Sequence, residues 1–179
     1  LKTMLFPGII TFGLVALLSL TGCKTVEVPE GVEVVTDFDI KAYSGQWYEI
    51  ARFDFKHEKD LNQVTANYTL NEDGSVTVEN KGYNYVKKDW EVAKGKAKFI
   101  GETNKGALKV SFFGPFYSGY NVVLMDPDYQ NALVFGENTD YVWILSRSKT
   151  IPDSVKTKFV EHAKKAGYDT SRFVWTQQE

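Results

Sequence analysis

The residues able to do covalent or metal chemistry are few: one cysteine, Cys23, and two histidines, His57 and His162. Cys23 ends an apolar run, His57 lies in the charged stretch Phe55-Lys56-His57-Glu58-Lys59-Asp60, and His162 falls on the polar side of a helix-patterned segment. No two of them have the spacing with which a metal ion is usually held. A Ser-His-Asp site would need one of these histidines beside a buried acid, with a nucleophile on a sharp turn, and the sequence shows no such elbow. Glu49 is an inward-phased carboxylate that could serve an acid pair, but near Arg147 it reads as half of a structural ion pair. These residues predict no catalytic site, no metal and no cofactor. The remaining chemistry is burial: 15% of the chain is aromatic, with 12 Phe, 10 Tyr and 4 Trp.

Cys23 has another use. Lys2 precedes an apolar stretch from Met4 to Leu20 that contains Pro7 and Gly8 and stops at Leu20-Thr21-Gly22-Cys23. A membrane-spanning helix needs about 20 consecutive apolar residues and usually a positive flank after them, so residues 1–22 read instead as an export signal. The Leu-Thr-Gly-Cys stretch resembles the bacterial lipobox, in which the thiol is diacylated, the leader is cut and the new amino terminus is acylated. That resemblance implies lipid attachment at Cys23, and each buried CH₂ of the anchor contributes about 0.8 kcal/mol. An ordinary cleaved signal with a buried cysteine is the alternative. As the sole cysteine, Cys23 forms no intrachain disulfide, and once acylated it is no nucleophile. Lys24, where inner-membrane retention uses Asp, implies the outer membrane by resemblance to enterobacterial lipoproteins; the inner membrane stays open.

The elements beyond the anchor read as one domain. Lys and Arg number 21 against 23 Asp and Glu, a net charge of −2, with no basic block of the kind a nucleic-acid partner requires. Lys94, Lys96 and Lys98 form a row on one side of a strand, which suits a solvated face or, alternatively, contact with anionic lipid. Residues 23–36, with Pro29 and Gly31, read as a lipidated tether that joins the domain's closing end, and 37–179 as the domain itself. Alternation of period two predicts strands over 46–54, 63–70, 75–83, 90–100, 106–113, 119–125, 131–136 and 140–147. Turn signals such as Asn71-Glu72-Asp73-Gly74 and Asp126-Pro127-Asp128 join them into a meander, and a meander of this length hides its edges best by closing. One helix follows, with Thr150 as N-cap, Pro152 in the first turn, an apolar stripe of Val155, Phe159, Val160 and Ala163, and Gly167 after its end. Phe173 to Trp175 predicts a short strand returning beside the first.

Three motifs carry a family resemblance. Gly45-Gln46-Trp47-Tyr48-Glu49-Ile50 resembles the Gly-x-Trp signature of the lipocalins, Thr139-Asp140-Tyr141 the second family motif, and Arg147 the third. The match is closer to the bacterial lipocalins, outer-membrane lipoproteins, through Trp47 to Phe53, Ala107 to Tyr117 and Tyr141 to Arg147. The resemblance implies an all-β fold: an eight-stranded antiparallel up-and-down barrel, the calyx, open at one end with one C-terminal α-helix packed outside. It also implies ligands that are fatty acids, lysophospholipids or related amphiphiles, a role in envelope maintenance under stress, a membrane partner through the N-terminal acyl chains, and in some members a homodimer. Physically, Arg147 over Trp47 would close the base by a cation–π contact, Gly45 would keep a Cβ out of it, and Asp140 would accept backbone N–H groups in its turn.

Strand parity then supplies a wall for the calyx: Phe53, Ala66, Tyr68, Val78, Ala97, Phe99, Val110, Phe112, Tyr120, Val122 and Trp143. Small residues facing rings leave room for a ligand, whereas a filled barrel remains the plainer reading of the same periodicity. Glu49, Asn80 and Arg147 share inward faces and suit ordered water or a polar head. Phe55 to Asp60 is placed as a hydrated rim, and Phe112 to Tyr117 as mouth packing, a dimer or membrane-facing patch, or core. The expected function is reversible binding, storage or transport of single-chain lipids at the outer membrane, facing the periplasm. The alternatives are a carrier of another hydrophobe, a ligand-free structural envelope protein, or an enzyme of lipid isomerisation or hydrolysis. A haem-like ligand would need an inward histidine, and parity offers none.

Overall fold

The alternating segments become strands because their apolar side chains can be buried on one face only if the chain is extended. A computed structural model describes residues 25–179; the leader and Cys23, with the lipid attachment expected there, lie outside the described residues. The strands are β1 Gly45–Phe53, β2 Leu61–Leu70, β3 Val76–Asn84, β4 Asp89–Phe99, β5 Ala107–Phe113, β6 Phe116–Met125, β7 Asn131–Phe135 and β8 Val142–Ser146. Each pairs antiparallel with the next, and β1 pairs with both β8 and β2, so the sheet closes into the expected barrel.

The closure is incomplete along β1. Gly45 to Tyr48 pair with β2, whereas Ala51 to Phe53 pair with the terminal strand β9, Phe173–Trp175. The two main strands part there, and the C-terminal tail fills the gap: Gln63 N–H donates to Gln177 O at 2.7 Å and the Gln178 amide to Glu49 O and Val64 O at 2.8 and 2.9 Å. Backbone groups that the splaying would orphan are thereby satisfied.

The ends of the barrel differ. At one end the last residues of the tether and those after it lie across the opening, with Val35 N–H on Val122 O, Gly106 N–H on Val35 O and Phe38 N–H on Asn104 O, each at 2.9 Å. A one-turn helix α1, Ile40–Tyr43, follows there, capped by Asp39, whose side chain accepts from Lys41 N–H at 2.8 Å. Four residues are too few to show a helical period, so this element has no sequence signature. Phe38, Tyr43 and Trp47 plug this end, with Phe38 packed on Tyr43 at 5.1 Å and Tyr43 on Trp47 at 4.9 Å between ring centroids. The opposite end carries the connections 54–60, 85–88, 114–115 and 136–141 and stays open.

Two apolar clusters result, one inside the barrel and one between its outer wall and helix α2, Asp153–Lys165. The helix begins later than Thr150 predicts. Pro152 occupies the N-cap with no side-chain bond, and its carbonyl accepts from Val155 and Lys156 N–H at 3.0 Å. The far end is as expected: Gly167 at φ +89° lets Gly167 N–H reach Lys164 O and Tyr168 N–H reach Ala163 O.

The ladder shifts register at four places, and two of these bulges turn a residue expected inward to the outside. One lies between Glu49 and Ala51 on β1, the other between Val122 and Leu124 on β6. Beyond each, the residue expected inward turns out: Ala51, Phe53 and Leu124 belong to the cluster under α2. A single extra residue reverses the face of everything after it.

Candidate functional site

The barrel holds a cavity of about 710 Å³ whose lining includes Phe55, His57 and Glu58 of the 54–60 connection and Gly136, Glu137 and Tyr141 of the 136–141 connection. Of the wall expected from parity, Ala66, Tyr68, Val78, Ala97, Val110, Phe112, Tyr120 and Trp143 line it, joined by Tyr43, Leu61, Val64, Leu108 and Leu145. Phe53, Phe99 and Val122 do not. Phe53 lies outside the barrel because of the first bulge, packed on Tyr168 and Phe173 at 5.9 and 5.0 Å. Phe99 and Val122 point inward but belong to the closed end, Phe99 against Phe38 at 6.3 Å and Val122 fully buried beside Val35.

Three phenols make the floor polar. Tyr120 Oη lies 2.6 Å from Tyr43 Oη and 2.8 Å from Tyr68 Oη. Burial raises all three above the ordinary tyrosine range, so they stay protonated. Two contacts use two of three hydroxyl protons, which leaves one donor for a further acceptor.

Beneath the floor the motif residues lock the base. The Arg147 guanidinium stacks 3.9 Å from the Trp47 ring centroid and donates to the carbonyls of Ala42, Tyr43, Ser44 and Gln46 at 2.8, 3.1, 3.0 and 2.8 Å. Gly45, at φ +96°, would place a Cβ 3.4 Å from Arg147 Nη1. Two expectations need correction. Asp140 does not accept in its turn; Asn138 Oδ1 takes the Asp140 N–H at 2.8 Å, and the Asp140 carboxylate pairs with Arg172 at 2.8 Å. Glu49 pairs not with Arg147 but with Arg52, which the first bulge turns inward. Thr139 is exposed beside them, while Tyr141 lines the cavity.

The mouth is less hydrated than its charges suggest. Arg52 is buried, with Nη1 on Glu49 Oε1 at 2.7 Å and Nη2 on Asp54 Oδ1, Glu58 O and Leu61 O at 3.2, 2.7 and 3.3 Å. One guanidinium thus holds the 54–60 connection over the barrel. Glu58, expected on a wet rim, is buried and accepts from Trp143 Nε1 at 3.0 Å. Burial, with Glu49 nearby, pushes its carboxyl up to about 8. Phe55 and His57 also line the cavity, so a histidine does face the mouth, although strand parity offered none. Phe112, Phe113 and Phe116 all line the cavity, the last two at its rim, 72% and 78% exposed. Among the described residues no group of three His, Cys, Asp or Glu side chains could hold a metal ion, and no helix is long and apolar enough to cross a membrane.

Residues 38–178 match the profile of the lipocalin-like domain. The chain belongs to the lipocalin family. This lipocalin is 51% identical over 159 residues to outer membrane lipoprotein Blc of Escherichia coli strain K12, a match covering 89% of this chain and 90% of that one. It is 45% identical to the protein of the same name from Vibrio cholerae, over 89% and 93% of the two chains. Like them, it is a lipocalin of the outer membrane. The cockroach allergen Per a 4 superposes with a TM-score of 0.65 at 22% identity, over 87% of this chain and 97% of that one. Insecticyanin from the tobacco hornworm gives 0.64 at 22%, over 83% and 85%. At that identity the likeness is one of fold alone.

Proposed function

We propose that this lipocalin binds single-chain lipids, fatty acids or lysophospholipids, reversibly in its barrel. It would act from the periplasmic side of the outer membrane, held by acyl chains on Cys23. The cavity carries this reading: about 710 Å³ of mainly apolar wall, closed at one end and open at the other. That is within the roughly 300–1,000 Å³ of small-molecule sites. Each CH₂ of a chain drawn from water into such a wall contributes about 0.8 kcal/mol before ordering costs. A tail lies along Val78, Ala97 and Val110 while its head stays near the charged mouth. Sequestering single-chain lipids removes molecules that disturb bilayer packing, which accounts for a role in envelope maintenance under stress.

Native mass spectrometry of the full-length chain, extracted from a bacterial envelope in mild detergent, tests the reading. A discrete added mass equal to a fatty acid or lysophospholipid is expected. A bare mass that persists after adding palmitate and palmitoyl-lysophospholipid would show that the cavity takes neither.

A further inference from the structure

The mouth holds more carboxylate than its guanidinium answers. Glu49, Asp54 and Glu58 stand 2.7, 3.2 and 3.9 Å from Arg52 nitrogens, three acids around one base. Glu49 and Glu58 line the cavity and are buried. One Glu58 oxygen accepts from Trp143; the other accepts no hydrogen bond among the described residues. Lys81 and Lys94 reach the same mouth from β3 and β4 but are engaged elsewhere, Lys81 over the Trp90 ring at 4.4 Å and Lys94 on Glu79 at 3.0 Å.

Beside the Glu58 carboxylate lies an aromatic wall. Phe55 stands edge-on to Tyr141 and Trp143, at 5.5 Å and 79° and at 6.0 Å and 88°, while Tyr141 and Trp143 run nearly parallel at 6.3 Å and 18°. All three line the cavity and none is fully buried. Their rings touch one another, so a ligand lies against their faces rather than between them. An aromatic face attracts a cation within about 6 Å of its centroid, and more strongly once water is excluded. An anionic head at the same place would meet the acids.

We propose that Phe55, Tyr141, Trp143 and Glu58 form a subsite for the cationic amine of a single-chain amphiphile. Choline or ethanolamine lysophospholipids then bind in preference to anionic lipids of equal chain length. The proposal rests on the lipid-binding reading above and adds the headgroup to it. A bound amine also supplies the missing charge beside Glu58, whose carboxyl is otherwise held protonated by burial.

The test is titration of the full-length chain, in dodecyl maltoside micelles of fixed concentration, with four palmitoyl probes. These are lysophosphatidylcholine, lysophosphatidylethanolamine, lysophosphatidylglycerol and palmitate, with bound fractions read by native mass spectrometry. The two amine lipids are expected to bind about tenfold more tightly than lysophosphatidylglycerol, which keeps the phosphate and the chain and lacks the amine. Glu58→Gln keeps an acceptor for Trp143 and should collapse that ratio, most for the ethanolamine form. Phe55→Leu, outside the barrel ladder, should lower the choline form most, and by more than it lowers palmitate. Equal affinity for amine and glycerol lipids, with palmitate bound, overturns the subsite and leaves the carrier reading standing. No binding of any probe overturns both.

Discussion

Two arginines show how one side-chain type takes opposite roles by position. Arg147 spreads its donors over four carbonyls of the chain entering β1 and lays its plane on Trp47. A lysine keeps the charge and loses the fork and the stacking plane. Arg147→Lys should therefore cost about 1.5–3 kcal/mol, the worth of a hydrogen bond from a charged donor, read as a lower urea midpoint. Arg52 instead balances buried acids, and the residue that strains this balance is Glu58. Its folded-state pKa of about 8 lies above its ordinary 4.5, so the native state binds this proton more tightly than the unfolded chain. Stability from this group is then full below about 4.5 and is lost as pH rises towards 8. Glu58→Gln should match the wild type near pH 4 and exceed it by at least about 1 kcal/mol at pH 8.5, measured by urea denaturation at both pH values. A constant difference between the two pH values would remove Glu58 from the account.

At the scale of elements, the bulges divide labour along a single strand. Before its bulge β1 gives Trp47 and Glu49 to the interior; after it, Ala51 and Phe53 face α2 while Arg52 turns in. β6 does the same with Val122 inside and Val123 and Leu124 outside. The helix thus has a core of its own, centred on Phe159, which is 1% exposed among Ile144, Phe135 and Val123. Phe159→Ala should lower stability by about 3–5 kcal/mol. Lipid affinity at a temperature where the variant is folded should change less than threefold, because the ring never meets the cavity. A tenfold loss of palmitate binding would show instead that the two cores are coupled.

For the whole molecule the question is whether the barrel is a container or a solid. A container accepts a larger side chain where a ligand would lie. Ala66 lines the cavity, so Ala66→Phe should place its ring in open space, cut palmitate affinity more than tenfold and leave the melting temperature nearly unchanged. In a filled barrel the same ring would overpack and cost about 1–3 kcal/mol. The container has its rigid end where the tether arrives: Val35 and Phe38 are stitched to the base, while side chains, Arg52 and Trp143 among them, hold the long connection at the mouth. Entry and exit of a ligand therefore fall to the end farther from that tether.

The strands, their order, the outer helix and the base motif were legible in the chain, because period-two alternation, turn residues and the Gly45, Trp47 and Arg147 spacing are local or nearly so. Most of the cavity wall followed, since parity holds within a strand until something interrupts it. The interruptions were not legible: nothing in Glu49-Ile50-Ala51 or Val122-Val123-Leu124 announces a bulge, as an extra residue is accommodated by the partner strand, not by its own sequence. That one register change put Phe53 outside and Arg52 inside, and with Arg52 came the buried acids of the mouth. His57 and Phe55 were read as rim for a related reason: a connection without periodicity has no inside until the barrel beneath it gives it one. Sequence thus determined the container, and tertiary structure alone decided what charge and what rings stand at its door.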